Sequence, residues 1–128
     1  MRNIVTAALA GAGLLFATTA FADVNAEITT ASTHAGLAAK AGTIDMIHMH
    51  MHHALNCLEG SAGADFDKTN ANPCAQQGSG AIPDAANAAQ KAKLQAAAAQ
   101  LKSGLALSDV AAAGKAATEA SAAITAAK

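Results

Sequence analysis

Apolar side chains recur at helical spacing in four separate stretches of this chain. Val24, Ile28, Ala31, Ala35 and Ala38 share one helix face, and Ile44, Ile47, Met51, Leu55 and Leu58 share another. Leu94, Ala98, Leu101 and Leu105 form a third stripe, and Val110, Ala113, Ala117, Ala120 and Ile124 a fourth. Projected at about 100° per residue on a single rod, the first two stripes fall on roughly opposite sides. One straight helix would then bury opposite faces at its two ends. A break at Ala41-Gly42-Thr43 removes the conflict, with Gly42 free to take the left-handed conformation and Thr43 as an N-cap. Asp45 lies in the first turn, where the helix dipole favours it. The alternative is a three-helix arrangement with the first two segments continuous.

Between the second and third stripes, residues 59–83 carry no helical pattern and are punctuated by Gly60, Gly63, Asn70, Asn72, Pro73, Gly78, Gly80 and Pro83. A structureless loop this long needs a tether in a compact domain. Phe66 is the expected apolar plug, Asp84 the expected cap of the third helix, and Ser108 that of the fourth. The expected architecture is all-α: a small four-helix bundle of two helical hairpins, with helices at about 24–41, 44–58, 85–103 and 109–127.

The segment before the first stripe changes the picture. Met1-Arg2-Asn3 is a short positive start, Ile4 to Phe16 is uncharged and apolar, and Ala20-Phe21-Ala22 is a small-x-small cleavage pattern. Residues 1–22 therefore read as a signal peptide cleaved before Asp23, with residues 23–128 as one helical domain in the periplasm. The apolar run is shorter than the roughly 20 residues that span a bilayer. Nothing after residue 23 is apolar for long enough to insert. In such a compartment the isolated pair Cys57 and Cys74 reads as a disulfide, and the spacing is not CxxC. Closing that loop stabilises by roughly 3 kcal/mol in the chain-entropy model. For a domain built mainly of Ala, the poorest filler of a core, the tie matters.

Charge and composition exclude some functions. From Asp23 onward there are seven Lys against nine Asp and Glu, and the chain has no Trp and no Tyr. Nothing neutralises phosphates or stacks on bases, so nucleic acid is not an expected partner. No nucleophile elbow or facing pair of carboxylates points to an enzyme. Asp65-Phe66-Asp67-Lys68-Thr69-Asn70 lacks the glycine and closing Glu of a calcium loop.

Chemistry concentrates in Asp45-Met46-Ile47-His48-Met49-His50-Met51-His52-His53, which holds four of the five histidines. On a helix, Asp45, His48 and His52 form a strip along one edge of the apolar stripe. Met46, His50, His53 and Cys57 form another on the side away from it. His48 and His52 at i,i+4 can present two imidazoles to one ion, and His50 and His53 at i,i+3 can do so less ideally. If the chain turns back at Gly42, His34 comes level with this cluster. The expected site is then His34, His48 and His52 with Asp45, and His50, His53, Met46 and Met49 form a secondary surface site. On one continuous rod His34 would stand about 21 Å from His48 and could not share an ion. Imidazole suits copper, nickel and zinc, and thioethers favour cuprous ion, so a His/Met surface in an oxidising compartment leans to copper. A non-metal interaction module with a His-rich partner face is the rival reading. A b-type haem is third, since aromatics to line its pocket are nearly absent.

Thr33-His34-Ala35 and the second-helix cluster, on Ala-rich helices, resemble small periplasmic metal-binding proteins that fold as four-helix bundles. Those proteins spread histidines over all their helices, whereas the last two helices here carry none. His50 to Gly60, with Phe66-Asp67, Asn72-Pro73-Cys74, Gly78 and Gly80-Ala81-Ile82, resembles a family of uncharacterised exported bacterial proteins bearing NCLxG and NPC motifs. That likeness implies export and the disulfide, and it implies no activity.

Overall fold

A computed structural model describes residues 22–128; the expected signal peptide lies outside the described residues except for Ala22. Four helices follow in order: α1 (Val24–Lys40), α2 (Ile44–Glu59), α3 (Ala88–Leu105) and α4 (Val110–Thr125). Each packs against its chain neighbours, and α1 also closes against α4. Pairings such as His34 with His50, Met51 with Gly104, Gln90 with Ala127 and Ser32 with Ser121 make every neighbouring pair antiparallel. The result is an up-down-up-down bundle of two hairpins. Among the described residues no helix is long and apolar enough to cross a membrane.

The core follows the stripes. Ile28, Ala31, Ala35 and Ala38 of α1 and Ile47, Met51, Leu55 and Leu58 of α2 are buried. So are Leu94, Ala98 and Leu101 of α3 and Ala113, Ala117, Ala120 and Ile124 of α4. Small residues set the spacing: a Cβ at Gly104 would come 2.7 Å from Met51 Cε, so the glycine makes room for that side chain. Val110, expected on the fourth stripe, is exposed because it opens α4 beyond the reach of the facing helix.

The chain does turn back at residues 41–43, and Thr43 caps α2 by accepting the Met46 N–H. Gly42 does not take the left-handed conformation expected of it: only Gly60 and Gly80 have positive φ among the described residues. Ala41 is extended instead, and that suffices to reverse the chain. The third helix starts at Ala88 with Asn87 as its cap, three residues later than expected. Asp84 is already engaged by the Ser79 N–H, which removes it as a cap. Asp109, not Ser108, caps α4 by accepting the Ala112 N–H.

The loop between α2 and α3 is held by polar groups as much as by apolar ones. Cys57 and Cys74 form the disulfide. Asn56, fully buried, donates to the carbonyls of Asp67, Asn70 and Ala71 and accepts the Asp67 N–H. Phe66, the expected plug, is only half-buried, whereas Ala81 and Ile82 are buried. The Ala81 and Ile82 N–H groups cap the Cys57 and Leu58 carbonyls, which the end of α2 leaves without a helical partner. Gly60 and Gly80 let the two backbones touch there, since a Cβ on Gly60 would stand 1.6 Å from Ser79 O.

Candidate metal centre

Three imidazoles meet between α1 and α2. His34 Nδ1 and His50 Nδ1 are 3.4 Å apart. The His34 ring centroid lies 5.6 Å from that of His50 and 5.1 Å from that of His53. One nitrogen from each of the three falls within 4.8 Å of the others, and no carboxylate joins the group among the described residues. Two nitrogens bound to one tetrahedral ion at about 2.0–2.1 Å stand about 3.3–3.4 Å apart, which matches the His34–His50 spacing.

All three rings are half-buried, and His53 Nδ1 is buried with no hydrogen-bond partner. An orphaned buried nitrogen costs on the order of 1–3 kcal/mol, which a metal bond would offset. Burial pushes the His34 imidazole below its usual range, and the neighbouring His53 and His50 push it further. Burial does the same to His53, helped by His50 and His52. Both shifts favour the neutral ring, the form that binds a metal.

The chain reversal thus brings His34 to the second-helix cluster, but to His50 and His53 rather than to His48 and His52. The reason lies in which flank of α2 faces α1. About the axis of α2, the His50/His53 strip and the His48/His52 strip flank the buried stripe on opposite edges. The first helix packs along the His50/His53 edge, so that strip is covered rather than turned away from the core, and Cys57 on it is fully buried. The other edge meets the chain elsewhere: His48 Nε2–H donates to the Leu107 carbonyl at 2.9 Å. His52 Nδ1 lies 3.2 Å from Asp67 Oδ2 without the alignment of a hydrogen bond. Asp67 is held at about 2 by the Thr69 hydroxyl, the Thr69 N–H and the Asn70 amide, so its carboxylate stays charged. Asp45 is exposed and joins no cluster, and Met46 and Met49 are both exposed.

A second chemical feature carried no sequence signal beyond one acidic residue in a helical first turn. Glu27 is fully buried, its Oε1 accepts the Gly80 N–H at 2.8 Å, and its other oxygen has no partner outside the adjoining Asp84 carboxylate. Comparison with protein-family models, curated proteins and solved structures finds no match to the chain.

Proposed function

We propose that the protein is an exported, non-enzymatic metal-binding protein that buffers or carries one transition-metal ion at His34, His50 and His53. Copper is the first choice, with nickel or zinc as alternatives, because imidazole serves all three and the adjoining thioethers favour copper. The observation that carries the reading is the convergence of three imidazoles from two helices, one of them with a buried nitrogen that bonds to nothing else. Residence in the periplasm is supported by the leader-like start of the chain and by a disulfide that a reducing compartment would not maintain.

The test is a pair of double variants titrated with copper and zinc. His34→Ala with His50→Ala is expected to weaken binding by about a hundredfold or more. His48→Ala with His52→Ala is expected to cost far less, since those rings lie on the other edge of α2, against Leu107 and Asp67. The reverse order would return the site to the His48/His52 strip, and indifference to both would remove the metal reading. In that case the rival, a His-rich docking face for another envelope component, would stand. Elemental analysis of untagged protein from the periplasm separates the two, with stoichiometric metal expected here. The haem reading fares worse: the groove of about 740 Å³ between α1 and α4 is lined by residues such as Gly36, Ala39 and Ser121, with neither His nor Met to serve as an axial ligand.

A further inference from the structure

Three imidazoles leave a four-coordinate ion one ligand short, and the arrangement of α2 identifies what is in reach. The His50 and His53 directions average about 10° from that of Met46 around the axis of α2, at 100° per residue, and Met46 sits one turn before His50. Met49 lies about 70° off that line, Asp45 about 110° and His52 about 130°. Helical side chains lean toward the N-terminus, so the His50 ring overlies the turn that carries Met46.

Among the described residues, the neighbouring donors on this flank already have partners. Cys57 is in the disulfide. The Thr30 hydroxyl is paired with Gln77, and the Thr33 hydroxyl donates to the Thr29 carbonyl. Met46, by contrast, is 49 % exposed, while Met51 on the same helix is wholly buried in the core. Leu37, Met46 and Met49 are three of the four large apolar side chains exposed among the described residues, and all three lie on the α1–α2 hairpin that carries the three histidines. An unbranched thioether with three rotatable bonds can swing onto an ion from such a position without disturbing the bundle.

Resting on the metal-binding reading above, we infer that Met46 is the fourth ligand and that it makes the site selective for cuprous ion. The resulting ligand set is three neutral imidazoles and one neutral thioether. With no carboxylate to balance a second positive charge, a half-buried monovalent ion costs less to desolvate there than a divalent one. The soft sulfur adds preference in the same direction, because it binds Cu(I) well and Zn(II) or Ni(II) poorly.

The experiment compares the protein with its Met46→Leu variant, in which shape and helix propensity are kept and only the sulfur is lost. Both are loaded anaerobically with Cu(I) and, separately, with Zn(II). X-ray absorption of the Cu(I) form of the native protein should report nitrogen ligands plus one sulfur, and the sulfur contribution should vanish in Met46→Leu. Competition against a chromogenic Cu(I) chelator should register a loss of about tenfold or more in the variant, with Zn(II) affinity within about threefold. A sulfur contribution that survives Met46→Leu, or that Met49→Leu abolishes instead, overturns the assignment. So does a native spectrum with nitrogen ligands alone, although the three-histidine site would then still stand. Only a native protein that takes up neither ion would overturn both. Met46 is exposed, so the variant is expected to fold, and circular dichroism confirms it.

Discussion

A carboxyl cut off from water must keep its proton or find hydrogen bonds among its neighbours, and the surroundings of Glu27 favour the first and supply the second. Burial pushes it up to about 7, the Gly80 N–H pulls the other way, and the charges of Asp84 and Asp23 and a shared hydrogen bond with Asp84 push it up again. Backbone N–H groups of Ser79 and Gly80 point at these two carboxyls, so the cluster favours a shared proton over a cation. In the unfolded chain Glu27 titrates near 4.5, so the fold holds the proton more tightly. Its contribution is fully present below about pH 4.5 and is lost as pH rises through about 7. His34 and His53 act in the opposite sense below their ordinary range, since burial disfavours their charged forms. The clean readout is therefore a difference between two proteins. Glu27→Gln keeps an oxygen for Gly80 and offers an amide donor to Asp84. Chemical denaturation at pH 5 and pH 8 should find the variant more stable than the native protein at pH 8 by on the order of 1–2 kcal/mol, with the gap closing at pH 5. A gap of the same size at both pH values would show that Glu27 is not held protonated.

At the scale of helices and turns, the stripes were readable because they need only local periodicity. The same stripes could not say which flank of α2 faces α1. A hairpin can turn either way about its buried face, and the choice is made by contacts between residues far apart in sequence. His34 is therefore recoverable from sequence as a partner of the cluster, but not which pair it joins. Glycines divide in the same fashion. Gly42 marks the reversal correctly, yet it needs no left-handed backbone and a Cβ there would meet nothing within 4 Å. Gly60 (φ 69°) and Gly80 (φ 116°) read as ordinary loop punctuation, yet each has positive φ and its backbone lies against the other's. Gly42→Ala is expected to leave stability unchanged or raise it by about 0.4–1 kcal/mol, by narrowing the unfolded ensemble. Gly60→Ala or Gly80→Ala should cost about 3 kcal/mol or more, since both backbone strain and a backbone clash are introduced. Melting curves of the three variants check the ranking, and a Gly42→Ala penalty as large as the others would refute it.

For the molecule as a whole, the question is how a bundle whose core is largely Ala and a few large apolar side chains stays folded while holding a loop of more than twenty residues. The covalent tie and the candidate metal site divide the task between the C-terminal end and the middle of α2. Cys57 near its C-terminus fastens the loop, and His50 and His53 in its middle face α1. Replacing both cysteines by Ala should then lower stability by about 3 kcal/mol, the closure entropy of a loop this size. It should leave zinc stoichiometry unchanged, because none of the three histidines is in the loop. Zinc in turn should stabilise native and variant protein by the same increment, about 2.7 kcal/mol at a hundredfold excess over the dissociation constant. Thermal unfolding of both proteins with and without zinc measures all four corners of that cycle. Additive shifts are expected if the α1–α2 contact persists without the tie. A smaller zinc increment in the variant would mean that the loop, through Asn56 and the Gly60–Gly80 contact, sets the register in which the imidazoles meet.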